Sequence, residues 1–356
     1  PQEQFQLIGA GRRNLIINGD MRIAQRGTSS SSPADGGYTN VDRFLVYRNG
    51  AGVLQTTQSG VAPDGFKNSL LVECATADTS IAGADFGGIA YYVEAQDLLG
   101  TALGTSSAKP LTLSFWVRAN LTGLYSVAVR QPNSTVDSYV DTYYINAVDT
   151  WEYKTITIAP DTGVGNWTMT GNGKGLQVSF ALWNGGSYGG VEYGKWLANT
   201  NDIGSSENVN FASSTSNVFR ITGVQLELGK VATPFEHRLI SEELAACQRY
   251  FQTWGGNTGS ERLAVGYAQS TTQLRADIPL VVTMRAAPTL GLSAASNWTI
   301  ERSGPNRACT SITLDQPSTK IASANFNVAT GLTAGESAHV IGNNTNSARF
   351  TLSAEL

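Results

Sequence analysis

The chain has 356 residues, of which 41% are hydrophobic and 15% charged, and its net charge is −4. This length predicts about two domains, or one large all-β domain with an appendage. The apolar fraction is too high for a disordered chain, while the charged fraction lies below the roughly 25% of ordinary globular proteins. Neutral turn-forming residues, including 38 glycines, take the place of charge.

Charge and hydropathy argue against two classes of partner. The sequence has no basic run to offset its net negative charge, so we expect no nucleic-acid partner held through phosphates. No stretch approaches the roughly 18 consecutive apolar residues of a spanning helix, and we expect no membrane insertion. The opening PQEQFQLIGAGRRN lacks the apolar core of a signal peptide, which predicts a soluble protein made in the cytoplasm without export.

Strands are predicted along most of the chain, because period-two alternation recurs in short runs between turn residues. The clearest run is 111–118, LTLSFWVR, with Phe115 on its apolar face and Trp116 on the opposite face. Further runs are 41–48, 69–74, 124–130, 151–158, 176–183 and 218–228. Along the last of these the apolar phase flips at Gly223, which predicts a bulge.

These strands and their long polar loops predict an all-β protein, with a jelly-roll β-sandwich over residues 14–236 and an extended arm at residues 1–13. One helix is predicted over 242–251, capped by Ser241 and placed in a linker at 237–252. Strand patterns then resume at 262–268, 274–282, 298–301, 311–314, 320–328 and 349–353. They predict a smaller C-terminal β domain, a sandwich or a barrel, over 253–356.

Thiols, histidines and metal ligands are scarce. Cys74, Cys247 and Cys309 are widely spaced, and we expect three free thiols rather than a disulfide framework or a zinc site. His237 and His339 are the only histidines. Aspartates in polar loops, such as those at positions 35, 161 and 202, offer ligands for a structural calcium, but no EF-hand-like spacing supports one. The sequence therefore predicts no metal and no cofactor.

No catalytic constellation is evident. The parts of a Ser-His-Asp triad are not recognisable. The paired carboxylates of a glycosidase need only lie within about 5–9.5 Å in space, a distance that sequence does not show. The candidates Glu152, Glu192 and Glu227 are interpreted as solvated strand residues. We therefore expect a protein that is not an enzyme.

A glycine-rich segment over residues 183–196 concentrates aromatic side chains. It reads WNGGSYGGVEYGKW and contains Trp183, Tyr188, Tyr193 and Trp196. Aromatic faces on exposed loops suit the C–H surfaces of sugar rings, while neighbouring polar groups fix orientation. The alternative, which the pattern favours, is that Trp183 ends a strand facing the core and the tyrosines pack between protomers. These four residues are the candidate glycan contacts.

Two segments are more specific than the patterns above. The first, Asn14–Gly27, reads NLIINGDMRIAQRG and is followed by YTNVDRF at Tyr38–Phe44. The second, Gly223–Arg238, reads GVQLELGKVATPFEHR and continues to CQRYFQ at Gln252. This pairing resembles a group of tailed-bacteriophage virion proteins described as tail fibre or tail-associated proteins. In the same group, IPLVVTMRAAPT at Ile278–Thr289 is similar to the strand that opens the distal domain. The resemblance implies a sandwich like those of carbohydrate-binding modules.

The two segments also make physical sense as a closing pair. Residues 15–17 are predicted as a first strand and residues 224–228 as a last one, so their pairing would bring the ends of the sandwich together. Asn18, Gly19 and Asp20 have the chemistry of a tight reversal between them and the next segment.

The resemblance implies a structural part of a virion, assembled in the host cytoplasm with other virion proteins, and commonly a homotrimer. The stripe of Leu244, Cys247 and Phe251 is the candidate contact, either between copies or between domains. No catalytic residue carries over. The first hypothesis is a tail fibre or adhesin that binds a host cell-surface polysaccharide. The alternatives are a capsid fibre or decoration protein with a purely structural role and, third, a polysaccharide depolymerase.

Overall fold

The computed structural model describes residues 12–29, 31–132, 137–163, 167–198 and 201–356, so most of the predicted arm at 1–13 lies outside the described residues. The described residues form two compact units, one up to Glu243 together with Leu356, the other Leu244–Glu355. Regular structure is almost entirely strand, and the predicted all-β class is confirmed. The helices among the described residues are α1 (Ile240–Gln248) and three short 3₁₀ helices, Ala95–Thr101, Phe211–Ser213 and Ala295–Asn297. No helix in the described ranges is long and apolar enough to cross a membrane.

The first unit is a β-sandwich of two antiparallel sheets. The six-stranded sheet contains, in spatial order, β1 (Phe44–Asn49), β4 (Phe86–Glu94), β9 (Lys174–Asn184), β6 (Gly123–Arg130), β7 (Ser138–Ile145) and β11 (Trp196–Leu197). The five-stranded sheet contains β2 (Val53–Ser59), β3 (Ser69–Thr76), β13 (Val218–Leu228), β5 (Leu111–Ala119) and β8 (Glu152–Ile158). A short parallel pair joins β10 (Gly189–Gly190) to β12 (Gly204–Ser205). Neighbours in sequence such as β1 and β2 lie in opposite sheets, a connectivity typical of jelly rolls.

The core of the sandwich lies between the inner faces of the two sheets. Phe115 of β5 meets Phe180 of β9 edge to face, with ring centroids 5.0 Å apart. Tyr125 of β6 meets Phe219 of β13 at 5.8 Å. All four side chains are fully buried, and burial of an aromatic side chain of this size stabilises the fold by about 1.5–3 kcal/mol. These contacts hold the sheets together across the core.

The predicted bulge at Gly223 is confirmed. The register of β13 against β5 shifts between Thr222 and Gln225, and Gly223 has a φ of 62°. Glycine adopts this left-handed conformation without the steric cost that a Cβ brings. The extra residue turns the chain so that both halves of β13 keep their apolar side chains in the core.

The predicted closing pair is present, although residues 14–19 form no regular strand. The Leu15 amide donates to the Leu226 carbonyl at 2.9 Å, and the Val224 amide donates to the Gly19 carbonyl at 2.9 Å. The Asn14 side-chain amide donates to the Val224 carbonyl at 3.0 Å. Side-chain hydrogen bonds replace part of the backbone hydrogen-bond ladder here, because the chain reverses direction immediately after these residues.

The helix differs from its prediction at both ends. It begins at Ile240, and the Tyr250 amide donates to the Cys247 carbonyl at 2.9 Å, which closes a tight final turn. Phe251 therefore lies in a strand and not on a helical stripe with Leu244. Cys247 is 0% and Phe251 6% exposed, so neither side chain is available on the surface to meet another copy.

The second unit is a closed barrel with a small additional sheet. Of the two architectures predicted for it, a sandwich or a barrel, the barrel is the one observed. In order, the barrel strands are β15 (Arg262–Ala268), β16 (Gln273–Pro279), β20 (Ile321–Val328), β19 (Arg307–Asp315), β18 (Trp298–Glu301) and β21 (Ser337–Gly342). The three-stranded sheet contains β14 (Phe251–Trp254), β22 (Phe350–Ser353) and β17 (Thr289–Leu292). Trp298, Phe326 and Phe350 are buried in the common core.

The opening strand expected at Ile278–Thr289 is wrong. Strand β16 ends at Pro279, β17 begins at Thr289, and the residues between them are irregular. Proline cannot donate to a ladder, so Pro279 is a natural end for β16. Met284 nevertheless reaches the core at 1% exposure, and its amide donates to the Thr319 carbonyl. Met284 is thus buried from a loop while Val281 is 63% exposed, and β14 is the first strand of the unit.

Candidate aromatic binding groove

A groove lies on the outer face of the five-stranded sheet, the face turned away from the sandwich core. Its cavity volume is about 480 Å³. It is lined by Asp64, Gly65, Phe66, Ser114, Trp116, Tyr153, Gly223, Ala232, Thr233, Pro234, Phe235 and His237. Side chains of β5 and β8 that point away from the core form one wall. The segments that follow β2 and β13 form the other wall.

The first wall is formed by Trp116 and Tyr153. Trp116 alternates with the buried Phe115 on β5, so its ring projects away from the core. The register of β5 against β8 places Tyr153 directly opposite Trp116, and the two ring centroids are 5.3 Å apart. Tyr153 is 43% exposed and Trp116 is half-buried, so aromatic surface remains open to a ligand.

The second wall is formed by three rings from outside the strands. Phe66 follows β2, and Phe235 and His237 follow β13. The Phe66 centroid lies 5.1 Å from that of Phe235 and 5.3 Å from that of His237. Phe235 and His237 are 4.9 Å apart in an edge-to-face arrangement. Such tilted contacts are the preferred geometry of aromatic pairs, and they hold this cluster of rings together.

Gly223 lies where the two walls approach each other. A Cβ built on Gly223 would come within 2.8 Å of Phe66 Cζ and within 3.1 Å of Trp116 Cδ1. The bulge therefore has two effects. It keeps β13 in phase with the core, and it leaves space between the rings of Phe66 and Trp116.

Buried polar side chains fix the segment that bears Phe235. Glu227, 2% exposed, accepts from the Thr233 amide at 2.8 Å and from the Thr233 hydroxyl at 2.6 Å. Gln225, 0% exposed, accepts from the Glu236 amide at 2.8 Å. Both come from β13, beyond the bulge. Since charge-assisted hydrogen bonds in a buried setting are strong, this wall is anchored rather than a free loop.

The groove has the chemistry of a binding site for a neutral, amphipathic ligand. Its rings offer flat apolar faces, while hydroxyl groups of Ser114, Thr233 and Tyr153 lie among the lining residues. Asp64 and His237 add one acidic and one imidazole group. Concave sites with aromatic walls and a few convergent polar groups are typical of small-molecule and sugar recognition.

The four aromatic residues predicted as glycan contacts do not form one exposed surface. Trp183 is 1% exposed, so its ring offers no face to a ligand, as the packing alternative predicted. It lies over two glycines: a Cβ on Gly87 would come within 2.0 Å of Trp183 Cζ2, and one on Gly52 within 3.0 Å. The absence of side chains at these positions is what allows the indole to lie flat in the core.

The other three occupy separate, half-buried positions. Tyr188 meets Phe86 edge to face at 4.9 Å. The Tyr193 hydroxyl donates to the Gly190 carbonyl at 3.0 Å. The Trp196 indole N–H donates to the Ala159 carbonyl at 2.7 Å, and its ring meets Trp167 at 5.4 Å. The polar atoms of Tyr193 and Trp196 serve the fold itself, and the Tyr188 ring packs on Phe86, which leaves the groove as the stronger candidate site.

The alternating pattern of residues 111–118 already placed one residue of the groove, Trp116, on the face turned away from the core. Trp116 is a large aromatic residue on the polar face of that strand, where a solvated side chain is the ordinary expectation. One such residue is common on protein surfaces, and it indicates a binding surface only when further apolar side chains gather beside it. The partners Phe66 and Phe235 had no such signal, because they lie in irregular segments far away in the sequence.

The candidate carboxylates have structural partners. Glu192 is exposed and pairs with Lys195 at 2.9 Å. Glu152 binds Lys154 at 2.7 Å and the amides of Asn146 and Ala147. Glu227, expected to be solvated, is instead buried at 2% exposure because it holds the wall segment. None of these arrangements is a pair of carboxylates across a cleft.

The three cysteines are thiols rather than disulfides, as predicted, and their side chains are buried. Burial raises the pKa of the Cys309 thiol to about 12 and also raises that of Cys74. A thiol with a raised pKa is a poor nucleophile, because the thiolate is the reactive form. Within the described ranges, no three His, Cys, Asp or Glu side chains come together as a metal site.

No protein-family model matches the chain, and no curated protein matches it by sequence. Several solved structures are similar to it in fold. The enzymatically active domain of tailspike protein 4 of bacteriophage CBA120 is 12% identical, with a TM-score of 0.33, and the alignment covers 61% of this chain but 21% of that chain. A family 11 carbohydrate-binding module of Clostridium thermocellum, solved with a β-1,3-1,4-mixed-linked tetrasaccharide, is 13% identical, with a TM-score of 0.28, and the alignment covers 59% of this chain and 99% of that chain.

A third similar structure is the tandem of family 22 carbohydrate-binding modules of Paenibacillus barcinonensis Xyn10C. It is 10% identical, with a TM-score of 0.30, and the alignment covers 98% of this chain and 100% of that chain. These structures belong to carbohydrate-binding modules and to a phage tailspike. At TM-scores this low, the function of the present chain has to be argued from its own residues.

Proposed function

We propose that the chain binds a saccharide of a bacterial surface polysaccharide through the aromatic groove, as part of a tail fibre or adhesin of a tailed bacteriophage. The observation that carries the binding proposal is the pair of aromatic walls, Trp116 with Tyr153 and Phe66 with Phe235, around one open cavity. Sugar rings present C–H faces that stack on such surfaces, and their hydroxyls need the polar groups beside them.

The virion role is supported by the sequence segments Asn14–Gly27 and Gly223–Arg238, which resemble tail-associated phage proteins. In the fold these segments lie side by side and close the sandwich, so the resemblance falls on the framework of the domain. The second segment also supplies Gly223, Phe235 and His237 to the groove. Assembly in the host cytoplasm agrees with cysteines that are thiols rather than disulfides.

We propose binding without cleavage. Hydrolysis of a glycosidic bond uses two carboxyl groups on either side of it. Among the described residues that line the groove, Asp64 carries the single carboxylate. A reducing-sugar assay on host capsule or lipopolysaccharide should stay at background, and release of reducing ends by the wild type would contradict this part of the proposal.

The binding test is a glycan array, followed by titration calorimetry with the best saccharide, on the full chain. Trp116→Ala and Tyr153→Ala should each weaken binding at least about tenfold, because each removes a stacking face. The matched control is Tyr144→Ala, which removes a 57% exposed tyrosine from the six-stranded sheet, outside the groove. If both groove variants fold and bind as the wild type does, the groove is not the site.

The oligomeric state and the place in the virion need separate measurements. Light scattering should give three times 37.8 kDa if the chain is a homotrimer by itself. A labelled antibody imaged on intact virions should locate the chain on the tail. Labelling of the head would instead favour the capsid fibre or decoration protein.

A further inference from the structure

The barrel of the second unit has a shallow cavity on its outer face, separate from the groove. Its volume is about 300 Å³, at the lower end of the roughly 300–1,000 Å³ typical of ligand pockets. It is lined by Val265, Gly266, Tyr267, Arg275, Asp277 and Ser323. These residues come from three adjacent strands, β15, β16 and β20.

One side of this cavity is apolar. The register of β15 shifts between Arg262 and Ala264, and beyond that shift alternation directs Ala264 and Ala268 inward and leaves Val265 and Tyr267 outward, two positions apart on one face. Val265 is 57% and Tyr267 51% exposed. A large aromatic ring exposed to this degree on a rigid strand is a preformed stacking surface.

The other side is polar and fixed in place. The strand register sets Tyr267 opposite Arg275, and Asp277 opposite Ser323. Arg275 forms an ion pair with Asp315, and the Ser323 hydroxyl donates to the Asp277 carboxylate. A guanidinium has five N–H donors and a carboxylate about four acceptor sites, so these bonds leave capacity for a ligand.

One buried acceptor beside this site lacks a partner. Asn325 lies directly opposite Arg275 in the register of β16 and β20. Its side-chain oxygen is buried, and among the described residues it accepts no hydrogen bond.

We propose that this face of the barrel is a second saccharide site, for a neutral hexose unit. Tyr267 stacks on the sugar ring, and Arg275, Asp277 and Ser323 bind its hydroxyls. Arg275 stands against two carboxylates, those of Asp277 and Asp315, so the site is negative by one charge and disfavours acidic sugars. The site lies within the second unit, and its existence does not depend on that of the groove.

The test uses the full chain with Trp116→Ala, which weakens binding at the groove if the groove binds sugar and is harmless if it does not. Saturation-transfer NMR is run with the methyl glycosides of glucose, galactose, mannose and N-acetylglucosamine, and with methyl glucuronide. At least one neutral glycoside should bind. Adding Tyr267→Ala or Asp277→Asn should weaken that binding about tenfold, whereas Tyr267→Phe should preserve it.

Tyr144→Ala in the same background is the matched control and should bind as its parent does. The proposal is overturned if no neutral glycoside binds at millimolar concentration, or if Tyr267→Ala leaves binding unchanged. Tighter binding of methyl glucuronide than of every neutral glycoside would overturn the assignment to neutral sugars. A lower molar mass of Tyr267→Ala by light scattering, without a change in sugar binding, would show instead that the face joins copies of the chain.

Discussion

Gly223 and Phe66 approach each other so closely that a single methyl group on Gly223 would lie 2.8 Å from the Phe66 ring. The glycine lies in the bulge of β13, and the phenylalanine belongs to the connection between β2 and β3. The bulge thus links the packing of the sandwich to the shape of the groove on its outer face.

Gly223→Ala should lower both stability and saccharide affinity. The added Cβ faces a φ of 62° and contacts with Phe66 and Trp116, so the rings have to move. We expect a loss of about 1–2 kcal/mol in the free energy of unfolding, measured with urea, and weaker binding by calorimetry.

Gly36→Ala is the control for this substitution. Its φ is 70°, close to that of Gly223, but a Cβ there meets nothing within 4 Å. It should lose a comparable amount of backbone stability and keep the wild-type affinity. Equal affinity losses in the two variants would mean that strain alone, and not the position of Phe66, accounts for the effect.

Glu227→Gln should loosen the wall that carries Phe235. Glu227 accepts from the Thr233 amide, the Thr233 hydroxyl and the Gln225 side-chain amide. In glutamine an NH2 group replaces one of the two carboxylate oxygens. This buried NH2 donor would then face another hydrogen-bond donor instead of accepting from it. We expect about 1–3 kcal/mol of destabilisation in urea unfolding and reduced saccharide affinity.

Thr233→Val tests the same contact from the other side, because it removes the hydroxyl donor and keeps the backbone amide. In a double-mutant cycle with Glu227→Gln the two effects should be smaller together than their sum, since both act on one hydrogen-bonded unit. Simple additivity would show that Glu227 does not act through Thr233.

Local patterns predicted the parts of this fold that depend on neighbouring residues. The bulge predicted from the change of apolar phase at Gly223 is present in the structure, and so is the predicted inward position of Phe115. The strand expected at 278–289 is absent, because β16 ends at Pro279 and a short apolar run is equally compatible with an irregular segment. Nothing local revealed that Phe66 and Phe235 meet, since that contact depends on how distant segments return to one sheet face.

Trp183→Ala tests whether Trp183 of the glycine-rich segment packs in the core or contacts the saccharide. Trp183 is buried over Gly87 and Gly52, so its loss leaves a large cavity. We expect about 3–5 kcal/mol of destabilisation by urea unfolding, with unchanged saccharide affinity for the protein that remains folded. Wild-type stability combined with lost binding would restore Trp183 as a contact residue.

Glu152 should make the first unit more stable above about pH 4.5 than below it. Partial burial raises the pKa of this carboxyl, but the Lys154 ammonium and the N–H groups of Asn146 and Ala147 outweigh it and lower the pKa to about 2. Because the folded value lies below the ordinary value of 4.5, the folded state releases this proton first. The stabilisation is therefore present at neutral pH and is lost as the pH falls from 4.5 towards 2.

Glu152→Gln should accordingly lower the free energy of unfolding by about 1 kcal/mol at pH 7, a modest figure because solvent screens the pair. The difference from the wild type should shrink towards zero at about pH 2.5, where the wild-type carboxyl is increasingly protonated. Glu192→Gln is the control: its ion pair with Lys195 is exposed, and its removal should change little at either pH. Urea unfolding of the three proteins at both pH values measures this. If the difference between the wild type and Glu152→Gln stays constant with pH, the hydrogen-bonding shape of Glu152, and not its charge, holds the 146–152 turn.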